Sequence, residues 1–565
     1  MIQVIIPLLE ILIEDKNHEI LKNACAACLS IAENLIVEDR ASHILTLILR
    51  ILHDEEEETK LKALGALKSL IPLLNPDVCE CFVMKEALIL AAENIVKVRK
   101  AVAECIPKLC KGIKTEESVQ KLLFTFRDLV KDNIWGVRKA CADTINDLFD
   151  GFNNTSQDLF VLALFLDLLK DKSNNVKQCI WVQLGPCIHK CKVTVPEEMI
   201  EAYVELSKNI SNKGEFQVHF SFYLPAVLDK LGKLRWETLK PGILSIVQES
   251  EIKAKKSLLA GFHEIGKILG PDLATEELCP IYENIFSENS VTKQLAVNCL
   301  SKFLRTIRSD RRNNFIKYLK VLHKFTAVWR IRLSVAEQLV ELMDLFEFAL
   351  VLAEFYPIVM NLVADKVWKI RYCAALALGK LVSLVVRAGD SHQILLEFRN
   401  MASGNWNEKL VFITACQELA EMSNFEELYG EEFMALCEDK AVNIRIACAK
   451  VLKKVNSDYE DFWSQVKKKL VHDFDADVRY EVLGNYDMDR GVVKLRPNAE
   501  KHIILMSPMF RALFKDEDVD EVINFRPEAY QLLGYLKAAV TPDATGFVER
   551  LSFDVAQKAK MLIEF

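Results

Sequence analysis

The chain contains the octapeptide Asn133-Ile134-Trp135-Gly136-Val137-Arg138-Lys139-Ala140, in which a polar turn leads into Val, a basic residue and an apolar helix pattern. The pair of Val or Ile with Arg or Lys recurs along the chain, at residues 98–99, 176–177, 331–332, 370–371, 444–445 and 478–479. Val98, Val137 and Val176 are evenly spaced, close to the period of about 40–47 residues that is typical of arrays of helical repeats. The recurrence therefore predicts a repeat protein rather than one compact core.

The residues that follow each copy of the phrase are amphipathic. Apolar residues recur every three or four positions and form one stripe per helix, as in the sets Val98, Ala101, Val102, Cys105, Ile106 and Leu109, and Ile444, Ala447, Cys448, Val451, Leu452 and Val455. A second apolar helix precedes each turn. This pattern predicts an all-α fold, a superhelical α-solenoid of tandem HEAT repeats over residues 1–490.

We count about thirteen helix pairs in this span. Their second helices are predicted to begin near Asn17, Glu56, Asn94, Asn133, Ser173, Gly214, Ser250, Asn289, Val328, Lys366, Asn405, Lys440 and Phe474. The sixth pair is irregular because it lacks the recurring phrase. The array begins at Met1 without the polar capping repeat that solenoid ends need, so we expect a partial gene product. Residues 491–565 contain four prolines and an acidic run, and they are predicted to form a mostly helical C-terminal extension.

Composition excludes several classes of protein. A net charge of −8 argues against a protein that coats nucleic acid, and 51% hydrophobic residues argue against disorder over most of the 565 residues. Neither the amino end nor the apolar stretch at residues 348–363 predicts a signal peptide or a membrane insertion. We expect a cytoplasmic protein, with the nucleus as a second compartment, and sixteen free cysteines.

A search for catalytic and metal-binding patterns gives little. The phosphate-binding glycine loops and the H-E-x-x-H zinc motif do not occur. The His-Glu pairs at residues 18–19 and 263–264 are isolated, and the cysteine pairs at 25/28 and 187/191 lack the second ligand pair of a closed zinc site. The acidic turn at residues 54–58 is interpreted as a solvated face. We therefore expect no enzyme activity, no metal and no cofactor.

The basic residue of the phrase has a structural interpretation. In a stack, Arg99, Arg138, Lys177, Arg332, Arg371, Arg445 and Arg479 would form a ladder with Asp132, Asp171, Asp365, Asp439 and Asp477 of adjacent turns. The repeat period itself explains these positions, which favours a ladder over contact with a partner.

Tryptophans at the turns are the better candidates for binding. Trp135, Trp329, Trp368 and Trp406 stand at or beside the turn between the two helices of their repeats. Trp is enriched at binding hot spots, so we expect at least one of the last three to contact a partner. The alternative is that each ring folds down over its own helix pair.

Several phrases resemble one family of HEAT proteins. The runs Val328-Trp329-Arg330-Ile331-Arg332, Val442-Asn443-Ile444-Arg445 and Asp473-Phe474-Asp475-Ala476-Asp477-Val478-Arg479-Tyr480 are similar to those of protein phosphatase 4 regulatory subunit 1. More distantly, they resemble the HEAT scaffold subunit of type 2A phosphatases. The match runs from about the third repeat to Arg490, but the acidic insertion of the family is missing near the sixth repeat.

The resemblance implies a non-catalytic regulatory or scaffold subunit that binds a phosphatase 4-like serine/threonine phosphatase catalytic subunit and its protein substrates. In the related scaffold, the catalytic subunit docks on turns of the C-terminal repeats. Carried onto this chain, the contact residues are Trp329, Arg330, Lys366, Trp368, Asn405, Trp406, Asp439 and Lys440. The alternative is another HEAT adaptor, such as a nuclear transport receptor or a coat adaptor. A HEAT enzyme, an iron hydroxylase or a DNA glycosylase, fits the residues least.

Overall fold

A computed structural model of the chain describes residues 2–15, 17–151, 155–208, 214–389, 392–455 and 461–483. Within these ranges the regular elements are all helical and no strand occurs, so the predicted all-α fold is confirmed. The predicted extension at residues 491–565 lies outside the described residues, as do residues 484–490. The structure divides into two units, Met1–Glu347 and Phe348–Phe565.

The described part of the first unit contains nine helix pairs. Its first helices are Ile2–Ile13; Val37–Asp39, Arg40–Leu45 and Thr46–Leu52; Pro76–Val78, Cys79–Val83 and Met84–Ala91; Glu116–Val130; Thr155–Leu169; Glu197–Lys208; Trp236–Glu249; Pro271–Ile285; and Ser309–Arg312, Asn313–Phe315 and Ile316–Leu322. Its second helices are His18–Ala32; Glu57–Leu70 with Ile71–Leu73; Val96–Gly112; Trp135–Thr144 with Ile145–Gly151; Asn174–Val182 with Leu184–Lys190; Glu215–Leu231; Ile252–Leu269; Ser290–Asn298 with Leu300–Leu304; and Trp329–Met343. A short helix, Lys233–Arg235, precedes the seventh pair.

The second unit contains four helix pairs in its described part. The first helices are Phe348–Leu350, Val351–Phe355 and Tyr356–Val363; His392–Met401; Phe425–Leu436; and Asp461–Val471. The second helices are Trp368–Ala388; Trp406–Leu419; Val442–Val451 with Leu452–Lys454; and Ala476–Leu483.

All thirteen second helices begin within two residues of the predicted positions. At some of the turns the start has a local cause, because the side chain of the residue before the second helix caps it. Asn17 accepts a hydrogen bond from the Glu19 amide at 3.0 Å, and Asn289 accepts one from Val291 at 3.0 Å. At the irregular sixth repeat Gly214 takes this place with a φ of 75°, a left-handed conformation that favours glycine.

Within each unit, each second helix packs against its own first helix and against the second helices of neighbouring repeats. This double contact buries a wider arc than the single predicted stripe. Ala374 and Ala449 are fully buried, whereas Ala447, placed in the stripe by its spacing, is only half-buried. The assignment of Ala447 to the packed stripe was therefore wrong.

Apolar packing also accounts for the cysteines. All sixteen are free thiols, and thirteen of them are buried among the helices, where Cys behaves as a small hydrophobic residue. Among the described helices, none combines the length and the apolar character that crossing a lipid bilayer requires.

Candidate partner-binding edge of the helix turns

Several of the turns between the two helices of a repeat share one hydrogen-bonding scheme. An Asp after the first helix accepts a hydrogen bond from the amide two residues ahead: Asp365 from Val367 at 2.9 Å, and Asp439 from Ala441 at 2.8 Å. An Arg in the second helix then donates back to the turn carbonyls. Arg445 donates to the Asp439 carbonyl at 2.7 Å. These bonds close the turn and fix the direction of the residues at its tip.

The same Arg side chains connect successive repeats. Arg99 pairs with Asp132 at 2.7 Å and Arg138 with Asp171 at 2.6 Å. The predicted ladder is therefore present at these positions. At the last repeats its partners differ from the prediction: Arg445 pairs with Asp473 at 2.6 Å rather than with Asp477. Asp473 is the residue at the start of the turn, where the other ladder carboxylates lie.

The ladder predicts how stability depends on pH. The hydrogen bonds from Arg138 hold the pKa of Asp171 below its ordinary value of 3.8. A depressed folded-state pKa means that the unfolded chain binds more protons, so this contribution is present above pH 3.8 and is lost as pH falls through the lower folded-state value. We expect Asp171→Asn to cost about 3 kcal/mol at pH 7, since it leaves a largely buried Arg without its carboxylate. In urea denaturation, the difference from the wild type should shrink below about pH 4.

Asp128→Asn is the matched control for this experiment. Asp128 is 71% exposed and pairs only with its neighbour Arg127, so its loss should change stability by less than about 0.5 kcal/mol. If Asp171→Asn lowered the free energy of unfolding by the same amount from pH 7 down to pH 3, the stability would not depend on the ionisation of Asp171, and the prediction would be wrong.

Two exposed tryptophans lie on the turn edge of the second unit. Trp368 is 66% exposed and Trp406 is 48% exposed. Each is the first residue of its second helix, and these two helices pack against each other. Arg371 in the first turn of one helix donates to the Asn407 side chain in the first turn of the other, at 2.9 Å. The structure therefore brings the two tryptophans to adjacent turns, as predicted.

Trp368 belongs to a small aromatic and cationic group. Its ring meets Tyr372 edge-on with the ring centroids 6.3 Å apart, and the Lys369 ammonium lies 5.9 Å from the Trp368 centroid and 5.0 Å from that of Tyr372. These contacts orient the indole without covering it. The alternative interpretation, a ring folded over its own repeat, therefore does not describe Trp368.

The other predicted residues of this unit fall into two kinds. Lys366 and Lys440 are exposed at the tips of their turns, where they are available to an acidic partner. Asn405 and Asp439 instead stabilise the turns. Asn405 forms a capping box with Glu408, and Asp439 pairs with Lys409 at 2.7 Å. We therefore expect Asn405 and Asp439 to stabilise the conformation of these turns while other residues contact the partner.

Phe474 is an edge residue that the sequence reasoning did not select. It follows the ladder residue Asp473 at the turn of the thirteenth repeat and is fully exposed. The criterion of an aromatic residue at a turn, applied to Phe as well as to Trp, would have found it. Trp368, Trp406 and Phe474, with Lys366 and Lys440, are called the aromatic edge below.

The remaining two predicted residues belong to the first unit. Trp329 is the first residue of the ninth second helix and is 42% exposed. The exposed Arg330 guanidinium lies 4.8 Å from its ring centroid, a cation–π contact. Trp329 and Arg330 thus form the same kind of contact as Trp368 and Lys369: an exposed indole next to a cation.

Comparison with known proteins supports the resemblance seen in the sequence. Residues 220–325 match the family model described as the middle domain of protein phosphatase 4 regulatory subunit 1, and residues 355–385 match that of the HEAT repeat. Human serine/threonine-protein phosphatase 4 regulatory subunit 1 is 26% identical over 323 residues, which are 52% of this chain and 33% of that protein. The mouse protein is 25% identical over 321 residues, with the same coverage.

The resemblance to this regulatory subunit is confirmed. The chain spans about a third of the length of the curated relatives that it matches. The similarity therefore concerns the repeat array and not a whole regulatory subunit.

Solved structures agree on the fold. One describing Kap95p binding to RanGDP matches 96% of this chain and 72% of that chain with a TM-score of 0.59, at 11% identity. Kap121p bound to Nup53p matches 80% of this chain and 54% of that chain with a TM-score of 0.50, at 12% identity. At such low identity the likeness shows a shared helical solenoid and nothing about partners.

Proposed function

We propose that this chain is a non-catalytic regulatory or scaffold subunit that binds the catalytic subunit of a phosphatase 4-like serine/threonine phosphatase. The observation that carries the proposal is the match to protein phosphatase 4 regulatory subunit 1, by family model and by curated relatives. The protein acts by holding the phosphatase and its protein substrates together. We propose that it is a cytoplasmic protein, with the nucleus as a second compartment.

The aromatic edge is the proposed docking surface. Its rings are exposed on turns closed by hydrogen bonds: those of Asp365 and Arg371 at Trp368, those of Asp473 and Arg479 at Phe474, and the Asn405 capping box at Trp406. A rigid turn loses little conformational entropy on binding, and Trp supplies a large contact area. Trp329 with Arg330 offers a second contact of the same chemistry in the first unit.

The direct test is binding of purified components. The full chain is immobilised and titrated with the purified catalytic subunit of protein phosphatase 4, and in parallel with RanGDP, to which the structural relative Kap95p binds. We expect saturable one-to-one binding of the phosphatase and no binding of RanGDP. Binding of RanGDP without the phosphatase would favour the transport-receptor alternative and would reject the proposal.

A further inference from the structure

The structure brings together three potential metal ligands that are far apart in the sequence. His18 is the first residue of the second helix of repeat 1, and Asp54 and Glu56 lie in the turn of repeat 2. One nitrogen of His18, one oxygen of Asp54 and one oxygen of Glu56 all lie within 4.8 Å of one another. Sequence inspection paired His18 with its neighbour Glu19, whereas its structural neighbours come from the next repeat.

The distances fit a tetrahedral ion. His18 Nδ1 is 3.2 Å from Asp54 Oδ1 and 3.5 Å from Glu56 Oε2. Zinc binds His nitrogen and carboxylate oxygen at about 2.0–2.2 Å, so neighbouring ligands of a tetrahedral zinc ion are about 3.3–3.5 Å apart. Two of the three separations therefore have the length of tetrahedral edges, and the third, between the Asp54 and Glu56 oxygens, is within 4.8 Å.

The ligands are held by further hydrogen bonds. The Glu56 amide donates to Asp54 Oδ1 at 2.7 Å, and the Thr59 hydroxyl donates to Glu56 Oε2 at 2.5 Å. Such outer contacts orient metal-binding carboxylates.

This turn departs from the ladder of the other repeats. Arg99 and Arg138 bind the carboxylate at the start of the next turn, and Asp54 holds the same position as those carboxylates. In repeat 1 the residue at the ladder position, six after the turn residue Asp15, is the uncharged Leu21. The next residue, Lys22, donates to Glu58 at 2.8 Å and to Glu19 at 3.1 Å and lies 3.5 Å from Glu56. Asp54 faces His18 instead.

The local charge favours a cation. Residues 54–58 are five consecutive carboxylates, and Glu19 adds a sixth. Lys22 pairs with Glu19, Glu56 and Glu58, and Lys97 pairs with Glu57 at 2.9 Å. Two ammonium groups offset only part of this negative charge, and a divalent ion would offset more.

We propose that His18, Asp54 and Glu56 form a zinc site that links repeats 1 and 2, with water as the remaining ligand. One imidazole and two carboxylates suit zinc better than calcium or magnesium, which take oxygen ligands alone. The His18 side chain is 46% exposed, so the ion has an entry path and a place for water. A zinc ion bound there would connect the second helix of repeat 1 to the turn of repeat 2.

The test uses the full chain, stripped of metal with a chelator and kept reduced. Zinc is titrated against a coloured indicator, and X-ray absorption then identifies the bound atoms. We expect about one zinc ion per chain with a first shell of nitrogen and oxygen at about 2.0–2.1 Å and no sulfur at about 2.3 Å, which separates this site from the sixteen thiols. Zinc should also slow hydrogen exchange over residues 17–59.

Variants identify the ligands. His18→Ala and Asp54→Asn should each weaken zinc binding at least tenfold, since even outer-shell changes cost about 10–100-fold. His53→Ala is the matched control, because His53 faces a single carboxylate, Glu86, at 3.4 Å, and its zinc binding should equal that of the wild type. Sulfur in the first shell, or equal zinc binding by His18→Ala, would overturn the proposal and would leave the phosphatase proposal untouched.

Discussion

Trp368→Ala combined with Trp406→Ala should lower the affinity for the phosphatase catalytic subunit about a thousandfold while leaving the helical circular dichroism unchanged. A Trp anchor in a packed interface typically contributes about 2 kcal/mol or more, and two such losses together correspond to about three powers of ten. The expectation rests on the proposed function. Its structural basis is that the two rings lie on adjacent, hydrogen-bonded turns where one partner can cover both.

The folded state should tolerate this double substitution. The two rings are 66% and 48% exposed, so truncation removes little buried apolar surface and opens no cavity. Binding and melting temperature measured on the same protein therefore separate a docking role from a packing role. A large fall in melting temperature with unchanged affinity would show that the rings serve their own repeats.

Trp135→Ala is the matched control. Trp135 is also the first residue of a second helix and is 48% exposed, like Trp406, but it lies in repeat 4 of the first unit. Its removal should leave the affinity unchanged. If Trp135→Ala weakened binding as much as the double variant, the effect would come from exposed indoles in general and not from the aromatic edge.

The sequence predicted the features that depend on local chemistry. Some starts of the second helices follow from the capping residues Asn17, Asn289 and Asn405, whose effect acts within three residues. The other starts follow from the recurring phrase and its period. The ladder pairs Arg99–Asp132 and Arg138–Asp171 follow from the repeat period, since each connects equivalent positions of neighbouring repeats. The repeat period was therefore enough to predict both the fold and the ion pairs that recur between its repeats.

Features that depend on contacts between repeats were harder to predict. Spacing put Ala447 in the packed stripe, but burial depends on the neighbouring helices, and those cover Ala449 instead. Asn405 and Asp439, whose contact with a partner stays a prediction, also have a structural role that the sequence did not show: Asn405 caps its helix, and Asp439 pairs with Lys409 of the preceding repeat. The group of His18, Asp54 and Glu56 escaped notice because its members are one repeat apart. Residue type alone does not show whether a polar group is already paired.

Gly379→Ala should destabilise the second unit by about 3 kcal/mol. Gly379 lies in the helix Trp368–Ala388, where it faces the helix Trp406–Leu419. A Cβ atom at this position would stand 2.3 Å from the Ala415 carbonyl oxygen and 3.0 Å from its carbon. These are backbone atoms and cannot rotate away, so the two helices must separate, and overpacking of this kind typically costs about 1–3 kcal/mol or more.

Gly65→Ala should have the opposite effect on the free energy of unfolding. Gly65 lies on the exposed side of the helix Glu57–Leu70, and a Cβ atom there would meet nothing within 4 Å. Because Ala is favoured over Gly inside a helix by about 0.5–1 kcal/mol, this variant should be more stable than the wild type. Urea denaturation monitored by circular dichroism measures both changes, and hydrogen exchange locates them. For Gly379→Ala, faster exchange should begin in the two helices that meet there, since coupling in a repeat array passes between nearest neighbours. Wild-type stability in Gly379→Ala would mean that the close approach of these helices is not a constraint on the fold.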